Sequence, residues 1–252
     1  MIDIHSHLLP GVDDGSPSVE VSVPVLERFG ADGVDVLVCT PHLMASAAAK
    51  APSERNAGIL AKLIEKAPGK PELKLGYEIM LDVPGADLRA PGLRLGGSNA
   101  VLVEFPRMNV PVGAAQELLR LRMSGLVPVL AHPERYLGCT LRSVQEWRDV
   151  GAVIQTDAGI LLGTHGPSRL AKAMLERGLI DCLASDNHGD HRSLLPAARW
   201  LSEIGAEEQS RILTHTNAQR LLASQPLLPL SPIAPLERGM LRRLRELFVK
   251  RP

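Results

Sequence analysis

Histidine and aspartate side chains follow the first short apolar stretch of the chain. The opening sequence, MIDIHSHLLPGVDDG, places His5 and His7 two residues apart, with Asp14 shortly after them. Imidazole nitrogens and carboxylate oxygens are ligands that proteins offer to Mn²⁺, Fe, Zn²⁺ and Mg²⁺. These side chains could be ordinary polar groups of a loop, or they could begin a metal site that the rest of the chain completes.

Further candidate ligands stand at or just after the ends of later apolar stretches. They are His42, Glu78, Glu104, His132, Asp186 and His188. Glu104 lies inside the apolar run VLVEFP, where a buried carboxylate is costly unless it is paired or binds a cation. Together with His5, His7 and Asp14, these residues exceed the tetrahedral ligand set of a single ion. The set therefore predicts two or three divalent ions.

The ligand types indicate hydrolysis rather than structural zinc binding, because the candidate ligand set offers only nitrogen and oxygen atoms and includes no cysteine. Two ions about 3.5–4 Å apart lower the pKa of a bridging water and hold both oxygens of an in-line displacement, which suits phosphate-ester hydrolysis. Arg135 follows His132 by three residues, and its fork-shaped guanidinium suits phosphoryl oxygens. A surface ion pair between Arg135 and Glu134 is the alternative.

Short β-branched and apolar segments alternate with longer helical patterns, which predicts a parallel sheet. The predicted strands are MIDIH, VDVLVCT, LKLGYEI, AVLVEF, VPVLAH, AVIQTD and DCLASD. Seven such units over about 190 residues favour a closed α/β barrel, with an open sheet as the alternative. The carboxyl ends of barrel strands converge on one face, where the candidate ligands are expected to meet. Asp3 is interpreted as structural and Asp13 as a turn residue, while Asp157 stays undecided.

Size and composition limit the remaining possibilities. A chain of 252 residues can form one substantial α/β domain, and no polar linker divides the first 220 residues. The 28 basic and 28 acidic side chains balance, which gives no support to a nucleic-acid partner. The three cysteines are widely spaced, and there is neither a secretion signal nor a stretch of about 20 apolar residues. We therefore expect a cytoplasmic protein.

Other hydrolytic and nucleotide-binding mechanisms are excluded by their motifs. A cysteine-based phosphatase needs the pattern Cys-x5-Arg, but Ala45, Gln145 and His188 occupy the arginine position after the three cysteines. The sequence also has no GxxxxGK[ST] phosphate-binding loop and no GxSxG nucleophile turn. These absences leave metal-assisted hydrolysis as the predicted chemistry.

The motifs assembled so far resemble the PHP superfamily of metal-dependent phosphoesterases. MIDIHSHLLPGVDDG, TPH, GYEI, VEF, AHPERY and ASDNH are similar, in order and spacing, to the CpsB/CapC type of bacterial tyrosine-protein phosphatase from capsule and exopolysaccharide operons. The resemblance covers residues 1–222 and implies a distorted (β/α)7 barrel with a trinuclear, commonly manganese, centre. It implies three ligand sets: His5, His7, Glu78 and Asp186; Glu78, Glu104 and His132; and Asp14, His42 and His188.

The same resemblance implies roles in catalysis. Arg135 would bind phosphate, and Asp186 and His188 would be catalytic as well as ligands, while a hydroxide bridging the ions attacks the phosphorus. The implied substrate is the phosphotyrosine-rich tail of a membrane-bound bacterial tyrosine kinase that governs polysaccharide synthesis. Alternatives stay open: a phosphoesterase for a small phosphomonoester such as histidinol phosphate, a non-catalytic metal-binding scaffold, and a nuclease, which no basic groove supports.

Residues 223–252 form a second predicted segment beyond the resemblance. Pro226, Pro229, Pro232 and Pro235 recur at every third position, the period of a polyproline II spacer. Residues 236–252 combine an apolar helical face with six basic side chains, which predicts an amphipathic helix. This helix could pack on its own barrel or lie on anionic lipid at the inner face of the membrane. The number of subunits is left open.

Overall fold

The structure, a computed structural model, describes residues 1–106 and 109–234. Its strands are β1 (Ile2–Ser6), β2 (Val36–Cys39), β3 (His42–Met44), β4 (Glu72–Leu75), β5 (Glu78–Met80), β6 (Ala100–Glu104), β7 (Val127–Ala131), β8 (Val153–Asp157) and β9 (Cys182–Ala184). Its α-helices are α1 (Val19–Ala31), α2 (Ser53–Ile64), α3 (Ala114–Met123), α4 (Leu141–Asp149), α5 (Ala158–Leu162), α6 (Gly166–Glu176), α7 (Leu195–Glu203), α8 (Glu207–Arg211) and α9 (Asn217–Leu222).

The strands form two parallel sheets that together make a distorted barrel. One sheet has the order β1-β2-β4, and the other has the order β3-β5-β6-β7-β8-β9. The barrel closes between β9 and β1, where Ser6 and Asn187 form a parallel bridge and the amide of His7 donates to the Asn187 carbonyl at 2.7 Å. The predicted seven-stranded α/β barrel is confirmed, with seven strand positions around its circumference.

The third predicted strand is broken into two short strands, and a short strand that was not predicted follows the second. This additional strand, β3, is separated from β2 at Pro41, which has no amide hydrogen to donate to a sheet. The third breaks between β4 and β5 at Gly76, where a Cβ atom would lie 2.7 Å from Leu95 Cδ2. The two breaks separate the first sheet from the second and give the barrel its distortion.

An aromatic cluster braces the loops that follow β6 and β7. Tyr136 and Trp147 each pack with Phe105 at ring-centroid distances of 5.7 Å. The Tyr136 hydroxyl donates to the Ala131 carbonyl at 2.8 Å and accepts the Phe105 amide at 3.1 Å. Buried aromatic side chains with satisfied polar atoms hold a loop in one arrangement. The cluster therefore fixes the segment that carries His132 and Arg135.

The described part of the carboxyl-terminal segment packs at the amino ends of the strands. Asn217, at the start of α9, donates to the carbonyl of Asp181 just before β9, at 2.9 Å. The same side chain donates to the Leu228 carbonyl at 3.0 Å and accepts the Leu228 amide at 2.9 Å. Leu230 is buried in the main hydrophobic cluster. Residues 226–230 are thus held against the end of the barrel opposite the predicted metal site.

The amphipathic helix predicted over residues 236–252 lies outside the described residues, and the predicted division of the chain at residue 222 stays a prediction. Within residues 1–106 and 109–234, no helix combines the length and apolar character needed to cross a membrane.

We predict that Asn217→Ala lowers the free energy of unfolding by about 2–4 kcal/mol, because it removes three hydrogen bonds and leaves buried carbonyl groups unpaired. Urea unfolding of the full chain measures this change. Gln219→Ala, on the exposed face of the same helix, is the matched control and should change stability by less than about 0.5 kcal/mol. Equal urea midpoints for the two variants would show that the hydrogen bonds of Asn217 do not stabilise the barrel.

Candidate metal centre

Four side-chain atoms at the carboxyl ends of the strands surround a space the size of one metal ion. His5 Nε2 lies 3.2 Å from His7 Nε2, and both nitrogens lie 3.3–3.4 Å from Glu78 Oε2 and 3.3 Å from Asp186 Oδ1. A tetrahedral ion with ligand bonds of about 2.1 Å requires ligand atoms roughly 3.4 Å apart. The distances from each imidazole nitrogen to the other nitrogen and to the two carboxylate oxygens fit that geometry.

Hydrogen bonds on the far side of both imidazoles direct their Nε2 atoms into this space. His5 Nδ1 donates to Gln155 Oε1 at 3.0 Å, and His7 Nδ1 donates to Asp13 Oδ2 at 2.7 Å. A histidine that donates from Nδ1 presents a lone pair at Nε2, which is the form that binds metal ions. Two such nitrogens cannot hydrogen bond to each other, so each needs a proton or a cation on its Nε2 side.

Glu78 connects this space to two neighbouring groups of candidate ligands. Its Oε1 accepts from His132 Nε2 at 2.8 Å, and its Oε2 lies 3.0 Å from His42 Nδ1. Within the described residues, the side chains that could hold an ion form four overlapping groups: His5, His7 and Asp186; His5, Glu78 and His132; His42, Glu78 and Glu104; and His7, Asp14, His42 and His188. The overlap suits ions that share ligands.

Burial differs between the groups. The side chains of His5 and His7 are fully buried, whereas 32% of His42, 21% of His188 and 62% of Asp14 is exposed. A cavity of about 190 Å³ reaches the metal groups from this open side. Its walls are formed by His42, Glu78, Glu104, His132, Arg135, Tyr136, Asp186 and His188. A small ligand can therefore approach the centre from the side of Asp14 and His188.

Unusual backbone geometry points several candidate ligands inward. His132 and Asp186 have positive φ angles of 33° and 50°, a region that costs non-glycine residues about 1–2 kcal/mol each. Gly15 lets the loop before α1 fold onto His7, because a Cβ atom at residue 15 would lie 2.1 Å from the His7 carbonyl oxygen. The amide of Ser16 donates to that oxygen at 2.8 Å. This fold-back brings Asp13 and Asp14 to the site.

The charges of the site stabilise one another strongly. Burial opposes a charge on His5, but the Glu78 and Asp186 carboxylates outweigh it and raise the pKa of His5 to about 9. Burial likewise opposes a charge on His7, while Asp13, Asp186 and Glu78 raise its pKa well above the usual value. Burial of Glu78 acts to raise its pKa, yet the imidazoles around it hold that pKa well below the usual range. In the metal-free chain, protons therefore occupy the positions that suit a cation.

Arg135 lies beside the metal groups, in the 3-10 turn Pro133–Arg135 that follows β7. Its Nη2 donates to both Asp157 Oδ2 and Asp186 Oδ2. The ion pair with Glu134 considered from the sequence is replaced by these two, because Glu134 is buried and accepts the Asp157 amide at 2.8 Å. The guanidinium thus stands at the wall of the cavity.

The structure brings all the sequence-predicted ligands together. Each belongs to at least one of the four groups, although Glu104 groups with His42 and Glu78, whereas the resemblance pairs it with His132. The sequence places Gln155 at the end of the sixth predicted strand but gives neither it nor Asp13 a contact with the histidines, and the sequence interpretation missed Arg192. Arg192 Nη1 lies 3.3 Å from Asp186 Oδ2. Asp13 was read as a turn residue, and only its position within the DDG turn after the two histidines could have indicated its contact with His7.

Comparisons with known proteins agree with this fold. The sequence matches the family "Capsular polysaccharide synthesis, CpsB/CapC" over residues 1–223, and the chain belongs to that family. Tyrosine-protein phosphatase YwqE of Bacillus subtilis (strain 168) is 28% identical over 261 residues, covering 96% of this chain and 98% of that protein. Tyrosine-protein phosphatase CpsB of Streptococcus agalactiae is 28% identical over 239 residues, covering 88% and 98%.

A solved structure of this family also superposes on the chain. It belongs to the crystal structures of YwqE from Bacillus subtilis and CpsB from Streptococcus pneumoniae, which are described as "unique metal-dependent tyrosine phosphatases". It superposes with a TM-score of 0.76 at 27% identity, covering 93% of this chain and 100% of that chain. The family predicted from the motifs and the barrel it implies are confirmed.

We predict that Mn²⁺ affinity rises with pH up to about 9, by about tenfold per unit for each proton displaced. The pKa of His5 in the metal-free chain is raised to about 9, so below that pH an ion must displace the proton from the nitrogen it binds. Calorimetric titration of EDTA-treated protein with Mn²⁺, in buffers of different ionisation enthalpy, measures both affinity and proton release. Affinity that does not change between pH of about 7 and about 9 would show that no imidazole at the site has to release a proton in this range, and would contradict the raised pKa of His5.

We also predict that Asp13→Ala weakens Mn²⁺ binding by about 10–100-fold, because His7 loses the acceptor that fixes its tautomer and ring orientation. Asp13→Asn, which keeps an acceptor, should weaken binding less. Asp82→Ala is the matched control, since Asp82 also accepts a backbone amide, from Ser46 at 3.0 Å, but belongs to none of the metal groups found among the described residues. The same calorimetric titration compares the three, and equal affinity for all would refute this role for Asp13.

Proposed function

We propose that this chain is a metal-dependent protein-tyrosine phosphatase that hydrolyses phosphotyrosine on a protein. The observation that carries the proposal is the four-atom cage of His5, His7, Glu78 and Asp186 with a guanidinium at its edge. Cation ligands and an arginine side by side are what recognition of a phosphate monoester requires. Membership of the CpsB/CapC family and relatives named tyrosine-protein phosphatases support this substrate class.

The proposed centre holds two or three divalent ions on the ligands predicted from the sequence. We propose Mn²⁺ as the metal, with Fe, Zn²⁺ and Mg²⁺ as alternatives, because nitrogen and oxygen donors are mixed and no cysteine takes part. When bound, such ions supply an activated water for attack on phosphorus and neutralise phosphoryl charge. The support from this chain is the fit of its ligand atoms and the second hydrogen bonds that orient His5 and His7.

The remaining site residues have roles in orientation and charge. Arg135 is proposed to bind the phosphoryl oxygens, because the structure gives its Nη1 and Nε no hydrogen-bond partner among the described residues. Asp186 is proposed to act in catalysis by joining this arginine, through Oδ2, to the imidazoles that contact its Oδ1. His188 donates from Nδ1 to the Asp186 carbonyl at 2.9 Å, which leaves its Nε2 free to bind on the open side.

The cellular substrate we propose is the phosphotyrosine-rich tail of a membrane-bound bacterial tyrosine kinase, with a role in capsule or exopolysaccharide synthesis. The family description as capsular polysaccharide synthesis supports this context. The enzyme would then act in the cytoplasm, close to the inner face of the membrane. Contact of residues 236–252 with anionic lipid remains a separate prediction, to be tested by liposome sedimentation with and without residues 224–252.

We predict that the purified full chain hydrolyses a phosphotyrosine peptide, that EDTA removes this activity and that Mn²⁺ restores it. Blocking thiols should leave the rate unchanged, because Cys39 and Cys182 are buried and no cysteine borders the cavity among the described residues. His42→Ala should reduce both metal content and kcat, the latter by at least about a hundredfold, while circular dichroism shows a folded barrel.

Histidinol phosphate, assayed in parallel, separates the proposal from its main alternative. A higher kcat/KM for histidinol phosphate than for the peptide would assign the centre to a small phosphomonoester. Full metal occupancy without any hydrolysis would instead support a non-catalytic scaffold. Metal analysis of the same samples distinguishes this second outcome from simple loss of metal.

A further inference from the structure

The guanidinium of Arg135 has two carboxylate anchors of different kinds. Asp186 belongs to a metal group, and its Oδ1 lies 3.3 Å from both His5 Nε2 and His7 Nε2. Asp157 belongs to none of the metal groups found in residues 1–106 and 109–234, and it does not line the cavity. Asp157 can therefore hold Arg135 without also being a candidate metal ligand.

Asp157 is itself held rigidly from three directions. Its Oδ1 accepts the amides of Gly159 at 2.7 Å and Ile160 at 3.1 Å, which caps the start of α5. Its backbone amide donates to Glu134 Oε1 at 2.8 Å, and its side chain is only 4% exposed. Since one carboxylate oxygen is fixed by the helix cap, the other oxygen has a fixed direction toward Arg135.

The two carboxylates contact a single nitrogen of the guanidinium. Both Asp157 Oδ2 and Asp186 Oδ2 accept from Arg135 Nη2, while Nη1 and Nε have no hydrogen-bond partner among the described residues. The side chain is 34% exposed and borders the cavity. A planar guanidinium held at one nitrogen presents its other donors in a fixed fork, the geometry that suits a phosphate.

We propose that Asp157 is a positioning residue that holds Arg135 in the orientation needed to bind the substrate phosphate; the inference rests on the proposed function. Without Asp157, the strongest remaining attraction on the guanidinium is Asp186. Arg135 would then turn toward the metal groups, and its free donors would leave the cavity. Asp157 thereby prevents the Asp186 carboxylate from drawing the guanidinium away from the bound phosphate.

Asp157→Asn tests this role, because an asparagine oxygen can keep the helix cap while its NH2 group cannot accept from Arg135. In the metal-loaded full chain, we expect the Kd of inorganic phosphate to rise about tenfold, as loss of one hydrogen bond between charged groups predicts. KM for the phosphotyrosine peptide should rise similarly and kcat should change less than about threefold, because the phosphate is charged in the ground state as well as in the transition state. Calorimetry and steady-state kinetics measure these values.

A double-mutant cycle separates positioning from a general effect on the fold. In an Arg135→Ala background, adding Asp157→Asn should change the phosphate Kd by less than about twofold, since there is no guanidinium left to position. Asp181→Asn is the matched control. Asp181 is also a buried carboxylate that accepts a backbone amide, from Ile154 at 2.9 Å, and pairs with an arginine, Arg148, at 2.9 Å. It lies at the opposite end of the barrel and should leave the phosphate Kd unchanged.

Several results would overturn the inference. They are an unchanged or lower phosphate Kd in Asp157→Asn, or an equal effect of that change with and without Arg135. If Asp157→Asn does not fold, Asp157→Ser, which also caps helices, gives the same comparison. Phosphate binding tests the inference separately from turnover: a wild-type chain that binds phosphate but leaves the phosphotyrosine peptide intact refutes the proposed function, and the cycle still decides the role of Asp157.

Discussion

The metal centre depends on one electrostatic constraint: Glu78 and Asp186 are buried carboxylates surrounded by imidazoles. A buried carboxylate loses several kcal/mol of hydration free energy unless positive charge lies next to it. In the metal-free chain protons on His5 and His7 provide that charge, as the raised pKa values of both imidazoles show. A divalent cation bound by the same imidazoles would release those protons and supply the positive charge in their place. The burial of Glu78 and Asp186, which would be costly without nearby positive charge, therefore favours the binding of cations.

The barrel meets this constraint through the register of its strands. Parallel pairing places His42 opposite Glu78 and Met80 opposite Glu104, so neighbouring strands deliver ligands at successive heights. His42 follows the interruption at Pro41 and begins the short β3, which pairs with β5 in the second sheet. Positive φ angles at His132 and Asp186 turn the ends of β7 and the chain after β9 toward the same point. Distortion of the barrel and assembly of the site thus have the same origin.

The sequence predicts the ligands better than it predicts what holds them. Histidines and acids at strand ends are visible because apolar runs locate the strands and a barrel rule brings their carboxyl ends together. Asp13 and Gln155 are different, because each acts by accepting from the far nitrogen of a histidine. The Asp13 contact exists only after the loop folds back at Gly15, and the Gln155 contact exists only after β8 and β1 come together in the barrel. The break at Gly76 also escapes prediction, since the crowding of Gly76 by Leu95 is a tertiary contact.

The two ends of the barrel carry different kinds of polar interaction, which separates stability from chemistry. At the amino ends, the side chains of Asn217 and Asp181 hydrogen bond to backbone groups, and Arg148 neutralises the charge of Asp181. At the carboxyl ends, the carboxylates and the imidazole lone pairs are satisfied only when a proton or a cation lies between them. A complete hydrogen-bond network rigidifies a fold, whereas an incomplete one creates affinity for whatever completes it. The closed end can therefore stabilise the barrel while the open end stays receptive to metal ions and phosphate.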